Sequence, residues 1–326
     1  MMAVLFSVDS LVTAKVSQTV PIFQYAVVSG ALKWALSLFV NRLCKVTPLF
    51  GRRKDLRVLI PTGFVYGGFL VMLYGSLAFI PLVDAVGLFY LNPALCAIFG
   101  RLAFKDPLGP SSIVGLALVL FGVGLINQSS FLDAGKDVTW DLARIVGTVL
   151  GFGAALFAAL AFSATRGLGD RVSPGVISTW AFQFQTGLAL PPMLANYPAP
   201  LVVISDAVTI CLILLSAVLA CAGEIFACRA CQRIPVGLAT SIEATQLVWG
   251  LLWSVLFLEH KATWHQGLGI VLTIGGVFCI GLDGSIKRHL KRVFRRRSIE
   301  GSDELFVPET VEGGSCIKHS LTTANT

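Results

Sequence analysis

Residues 80–126 read IPLVDAVGLFYLNPALCAIFGRLAFKDPLGPSSIVGLALVLFGVGLI. Residues 234–282 read IPVGLATSIEATQLVWGLLWSVLFLEHKATWHQGLGIVLTIGGVFCIGL. A shift of 154 residues carries Ile80-Pro81 onto Ile234-Pro235. Without gaps it also carries Ala85 onto Ala239, Leu102 onto Leu256, Gly115 onto Gly269, Gly122 onto Gly276 and Val123 onto Val277. Each copy is an apolar block of helical length, a short charged break (Lys105-Asp106, then Glu259-His260) and a glycine-rich apolar block. A repeat of this kind is one supersecondary unit used twice.

The rest of the chain follows the same style. Of its 326 residues 55% are hydrophobic and 13% are charged, where a soluble domain carries about 25% charge. The apolar residues come in blocks of about 20, the length that crosses a hydrocarbon core of roughly 30 Å. They lack the alternation of a membrane barrel, so they read as helices, whose backbone amides are bonded within the segment. The expected spans are Met2–Ala14, Val20–Val40, Val58–Phe79, Val83–Phe104, Ser111–Gln128, Leu142–Ser163, Gly175–Ala195, Ser205–Cys228, Val236–Leu258 and Gln266–Leu282. The fold class is therefore an all-α polytopic membrane protein of about ten transmembrane helices in two five-helix repeats. Five is odd, so the second repeat is inverted relative to the first. Under the 154-residue shift the first helix lacks about a dozen residues, and it reads as truncated or as a short segment.

The domain reading is a first repeat over 1–128 and a loop over 129–141. A second repeat runs over 142–283, and a basic, then polar, tail fills 284–326. Positive charge sorts to one side. Arg42, Lys45, Arg52, Arg53, Lys54, Arg57, Arg101, Lys105, Arg166, Arg171, Arg229 and Arg233 share it if the helices alternate. The other side has Lys15, Lys136, Arg144 and Lys261, and a loop carrying Asp133, Asp137 and Asp141. The positive-inside rule places both termini in the cytosol, with plasma membrane and endomembrane both open. The net charge of +7 is matched by Lys287, Arg288, Lys291, Arg292, Arg295, Arg296 and Arg297. A basic cluster after a membrane helix points to anionic lipid, not nucleic acid.

The paired blocks resemble the drug/metabolite transporter superfamily, in particular proteins with paired EamA domains. The second copy is the better match, with Leu258-Glu259 at the acidic break. The first departs, with Lys105-Asp106 there. The resemblance implies ten helices, cytosolic termini and a central cavity. Its solute carrier family 35-like relatives carry nucleotide sugars and triose phosphates, and tend to grip phosphate with late lysine and arginine. Here helix nine carries Glu243 and Gln246 and no lysine, which argues against a nucleotide sugar or a sugar phosphate. The expected function is a secondary, ATP-independent transporter of a small polar metabolite by alternating access. The alternative is a non-transporting scaffold or receptor on the same fold. Enzyme activity is not expected, because His260, His265, His289 and His319 all lie in loops or the tail and no nucleotide-binding motif is present.

Candidate cavity residues are Lys33, Asn92, Glu243, Gln246, Tyr74 and Gln183. Lys33 lies deep in helix two, where a charge costs at least ~2.5 kcal/mol unless it finds a cavity or partner. It reads either as a contact for an anionic group or as a snorkelling side chain. Glu243 binds a cation, accepts a driving proton, or pairs with Lys33. Asn92 and Gln246 are mates under the shift and suit a polar substrate or a helix-to-helix hydrogen bond. Gln185 is a further polar candidate. Asp84 and Glu224 are candidates for gating or coupling. Asp84 also suits a helix start, and Glu224 a surface ion pair with Arg229 or Arg233. No cofactor or metal site is expected, and the eight cysteines, Cys228-x-x-Cys231 included, read as packing residues. Gly147 and Gly151, and the glycines of helices five and ten, offer small faces for close packing or a homodimer.

Overall fold

The computed structural model describes residues 1–80, 85, 88–105, 109–134, 142–257, 264–265 and 267–280. Among these every regular element is helical. The order is α1 (Met2–Val16), α2 (Ile22–Leu43), α3 (Leu56–Phe79), α4 (Asn92–Phe104), α5 (Pro110–Ala134), α6 (Leu142–Leu168), α7 (Pro174–Leu194), α8 (Ala207–Arg233), α9 (Val236–Ala244), α10 (Gln246–Phe257) and α11 (Gly267–Ile280). Among the described residues four helices are long and apolar enough to cross a membrane alone: α2, α3, α6 (with the 3-10 turn to Arg171) and α8.

Helix ends follow local chemistry. Pro174 stands in the first turn of α7, where its missing N–H costs nothing. The Asp206 carboxylate accepts from the Thr209 amide at 2.9 Å and caps α8, satisfying one of the amides that a helix start leaves open.

Packing is inverted relative to a soluble protein. Large apolar side chains such as Phe39, Val149, Phe152, Leu214, Val218 and Phe278 are exposed. The inside of α6 is small, with Gly147, Gly151, Ala154, Ala155 and Ala158 buried. Small faces let helices approach where lipid offers no hydrophobic drive between them. The α6 face lies on α3, and α3 in turn meets α7. A Cβ at Gly67 of α3 would stand 2.5 Å from the Gln185 amide nitrogen.

A second close crossing joins α5 to α11. A Cβ at Gly115 would lie 2.6 Å from the Gly276 carbonyl oxygen, and one at Gly122 would lie 2.7 Å from that of Gly269. The 154-residue shift turns the pair Gly115–Gly276 into Gly269–Gly122, so the crossing maps onto itself. At Gly115, Gly122 and Gly276 these glycines pack against the main chain of the facing helix. Gly124 and Gly275 have nothing within 4 Å.

Two expected helices are not continuous. The span expected as Val83–Phe104 has helix at 85 and 88–89, a turn at Tyr90 and Leu91, and then α4. The span expected as Val236–Leu258 is interrupted at Thr245, between α9 and α10. Leu91 and Thr245 are mates under the shift. Both interruptions fall inside apolar segments, where irregular backbone is tolerated only against protein or a polar cavity. Asp84, Glu259 and the basic tail lie outside the described residues.

Candidate functional site

Buried polar side chains gather where α1, α2, α3 and α8 meet. Asp9, midway along α1, accepts from the Ser216 hydroxyl of α8 at 2.5 Å. The Tyr25 hydroxyl of α2 joins Ser216 at 2.6 Å and Thr13 at 2.7 Å. These bonds tie α1, α2 and α8 through the Tyr25 and Ser216 hydroxyls. Tyr74 of α3 sets its ring edge-on to Tyr25, with centroids 6.0 Å apart.

Lys33 stands eleven residues after Ile22 in α2, about 16 Å along the axis at ~1.5 Å per residue. It is 3% exposed, so it does not snorkel. Its ammonium lies 5.4 Å from the Phe182 ring centroid, a cation–π contact. The carboxylates within its electrostatic reach are Asp9 and Glu224. The expected alternative pairing of Lys33 with Glu243 is thereby corrected.

Glu224 is 6% exposed and accepts from the Tyr66 hydroxyl of α3. The Cys228 thiol, one turn on, lies 3.8 Å from the same hydroxyl. A surface ion pair for Glu224 is therefore overturned. Arg229 instead bonds Asp170 at 2.8 Å, with Arg233 4.0 Å from the same oxygen. The helix explains the difference. α8 runs to Arg233, more than a turn beyond its expected end at Cys228, so Glu224 lies deeper.

The interrupted helices bring a second polar group. Glu243, near the end of α9, is 9% exposed and has no hydrogen-bonding or ionic partner among the described residues. The charged group within its reach is Glu224, another acid. Gln246, the first residue of α10, donates to the Tyr90 hydroxyl at 2.5 Å. Its carbonyl oxygen is enclosed without a partner. Asn92, at the matching position of α4, accepts from the Cys96 thiol at 2.9 Å.

Gln183 stands apart. It is exposed, away from the buried stripe Ser178, Phe182, Gln185 and Ala189 of α7, which corrects its place among the cavity residues. Gln185 is fully buried and donates to the Ala26 carbonyl at 3.0 Å. The sequence reading missed Asp9, Tyr66 and Ser216. A carboxylate inside the apolar run MAVLFSVDSLVTA is the same signal that singled out Lys33.

A bundle that exposes its large apolar side chains and keeps carboxylates, an ammonium and amides between its helices is an integral membrane protein. Residues 145–282 match the model of the EamA-like transporter family. The chain is 23% identical over 288 residues to human "Solute carrier family 35 member G1", covering 85% of this chain and 74% of that protein. It is 25% identical over 236 residues to an "Uncharacterized transporter" of Helicobacter pylori, covering 70% of this chain and 74% of that one. A solved crystal structure shares the fold with a TM-score of 0.72 at 17% identity, over 89% of this chain and 96% of that one. The chain is a membrane transporter whose second half matches the EamA-like transporter family, and it is similar over most of its length to solute carrier family 35.

Proposed function

We propose that the chain is a secondary transporter that moves a small polar metabolite by alternating access, with its site between two inverted repeats. The observation that carries this reading is the pair of interruptions at Leu91 and Thr245, mates under the shift and flanked by Asn92, Glu243 and Gln246. Broken helices at repeat-related positions, near the middle of the membrane, are a recurrent way to build a transport site. The self-mating crossing of α5 and α11 supports the same inverted arrangement. In this reading both termini face the cytosol, 1–128 and 142–283 are the repeats, and the basic tail meets anionic lipid.

The test uses the full chain in proteoliposomes without ATP. Single cysteines replace Asn92 and Gln246 in a background cleared of native cysteines, and membrane-impermeant reagents are applied to each side in turn. Alternating access predicts that both positions react from either side, with reactivity from one side falling when the other is occupied. Reaction from neither side, with no solute flux, leaves the scaffold reading.

A further inference from the structure

The charges buried between the helices do not balance. Among the described residues Glu224, Glu243 and Lys33 are buried, and Asp9 is half-buried on α1. Lys33 is within reach of Asp9 and Glu224. Asp9 has Ser216, and Glu224 has Tyr66. Glu243 has neither a donor nor a cation.

Among the described residues, the following titratable groups stand on elements around it. Tyr90 precedes α4, and Cys96 lies on α4. α8 brings Glu224, Cys228 and Cys231. α1 brings Asp9, which is bound to Ser216, and α6 brings Arg166, which donates to the Ile234 carbonyl beyond the far end of α9. A bare carboxylate in such a place is too costly to keep, and it takes a proton or a cation. Three positions on, the carbonyl oxygen of Gln246 is also enclosed and unmet. The unused capacity on this side is thus acceptor in kind. Such acceptor oxygens suit an ammonium, which offers donors only.

We propose that Glu243, together with the Gln246 carbonyl, is the recognition point for a protonated amine on the transported solute, and that a proton occupies the Glu243 carboxyl when the solute is absent. Binding one ammonium group releases that one proton, so the charge inside the bundle is unchanged. This rests on the reading of the chain as a transporter with a central site, and it adds the substrate class.

The experiment uses three two-carbon polar solutes on the purified full-length protein: ethanolamine as the cation, ethylene glycol as the neutral and glycolate as the anion. Ethanolamine is expected to raise the melting temperature, as any ligand of the folded state does, and to release protons into weakly buffered solution. Ethylene glycol and glycolate are expected to do neither. Glu243→Gln weakens ethanolamine binding at least ten-fold, while Phe89→Leu, at the matching position of the first half, leaves it in place. Proton release from the unmutated chain decides the matter even if Glu243→Gln fails to fold. Absence of an ethanolamine effect, an equal effect of glycolate, or retention of binding in Glu243→Gln overturns the proposal. Flux separates the two readings. Ethanolamine binding with proton release, but no flux of any solute, sinks transport and keeps this site. Flux of glycolate or ethylene glycol at full rate in Glu243→Gln sinks this site and keeps transport.

Discussion

The two interrupted segments occupy the same place in the two halves and differ in chemistry. Under the 154-residue shift Ala85 meets Ala239, and both are buried small residues. Leu91 meets Thr245 at the break, and Asn92 meets Gln246 just beyond it. Phe89 meets Glu243. In the first half Phe89 is buried and stacks on Phe69 at 6.0 Å, and Asn92 is answered by Cys96. In the second half the carboxylate and the amide carbonyl are both unanswered among the described residues. One backbone plan thus serves an apolar junction in one copy and an acidic one in the other. The lesson is that pseudo-symmetry sets where a site forms, and departure from it sets what the site recognises.

The largest expected effect tests where the halves are equal. Gly276→Val drives a side chain into the Gly115 carbonyl oxygen and the Val119 amide, at 2.5 and 2.8 Å from a Cβ. Because these are backbone atoms the clash cannot be relieved by a rotamer, and the cost is about 1–3 kcal/mol or more. Gly122→Val meets the Gly269 carbonyl and the Thr273 amide and should fail equally. Size-exclusion profiles in detergent are expected to lose the folded peak for both and keep it for Gly275→Ala, whose Cβ meets nothing.

The next effect tests where the halves differ. Glu243→Gln should cut solute flux into proteoliposomes ten-fold or more, since a hydrogen bond to a charged group contributes about 1.5–3 kcal/mol. Phe89→Leu should change it less than two-fold. Equal losses would erase the asymmetry. A smaller effect is expected at the network between α3 and α8. Tyr66→Phe leaves the buried Glu224 carboxylate without its donor, at about 1–3 kcal/mol, read as a lower melting temperature in detergent. The smallest is at Asp206, where the Thr209 hydroxyl and amide hold the carboxyl below its usual range. That contribution is present at neutral pH and is lost as pH falls through the lowered value. Melts of Asp206→Ala and the unmutated chain should therefore differ slightly near neutrality and converge in acid.

Helix positions were legible because an apolar run of about 20 residues has few alternatives in lipid. The interruptions were harder to see. Thr245 changes neither hydropathy nor helix propensity enough to mark a break. Asn92-Pro93 does carry a signal, since a proline inside a helix removes a backbone bond, and Pro93 does stand in the first turn of α4. Depth was misjudged for Glu224 because polar Gln232 and Arg233 looked like loop while the helix continued beneath them. Phase separated Gln185 from Gln183: two residues along a helix is about 200°, so of two glutamines in one turn one is buried and one is not. Asp9 was passed over because its helix looked incomplete, although a carboxylate flanked by apolar turns is as costly there as Lys33 is in α2.

The crossing of α5 and α11 also binds the two copies as inherited text. Gly115 is held to its size by the backbone at Gly276, and Gly122 by the backbone at Gly269. A codon that changes in one copy is judged against the main chain of the other, which no substitution there can shrink.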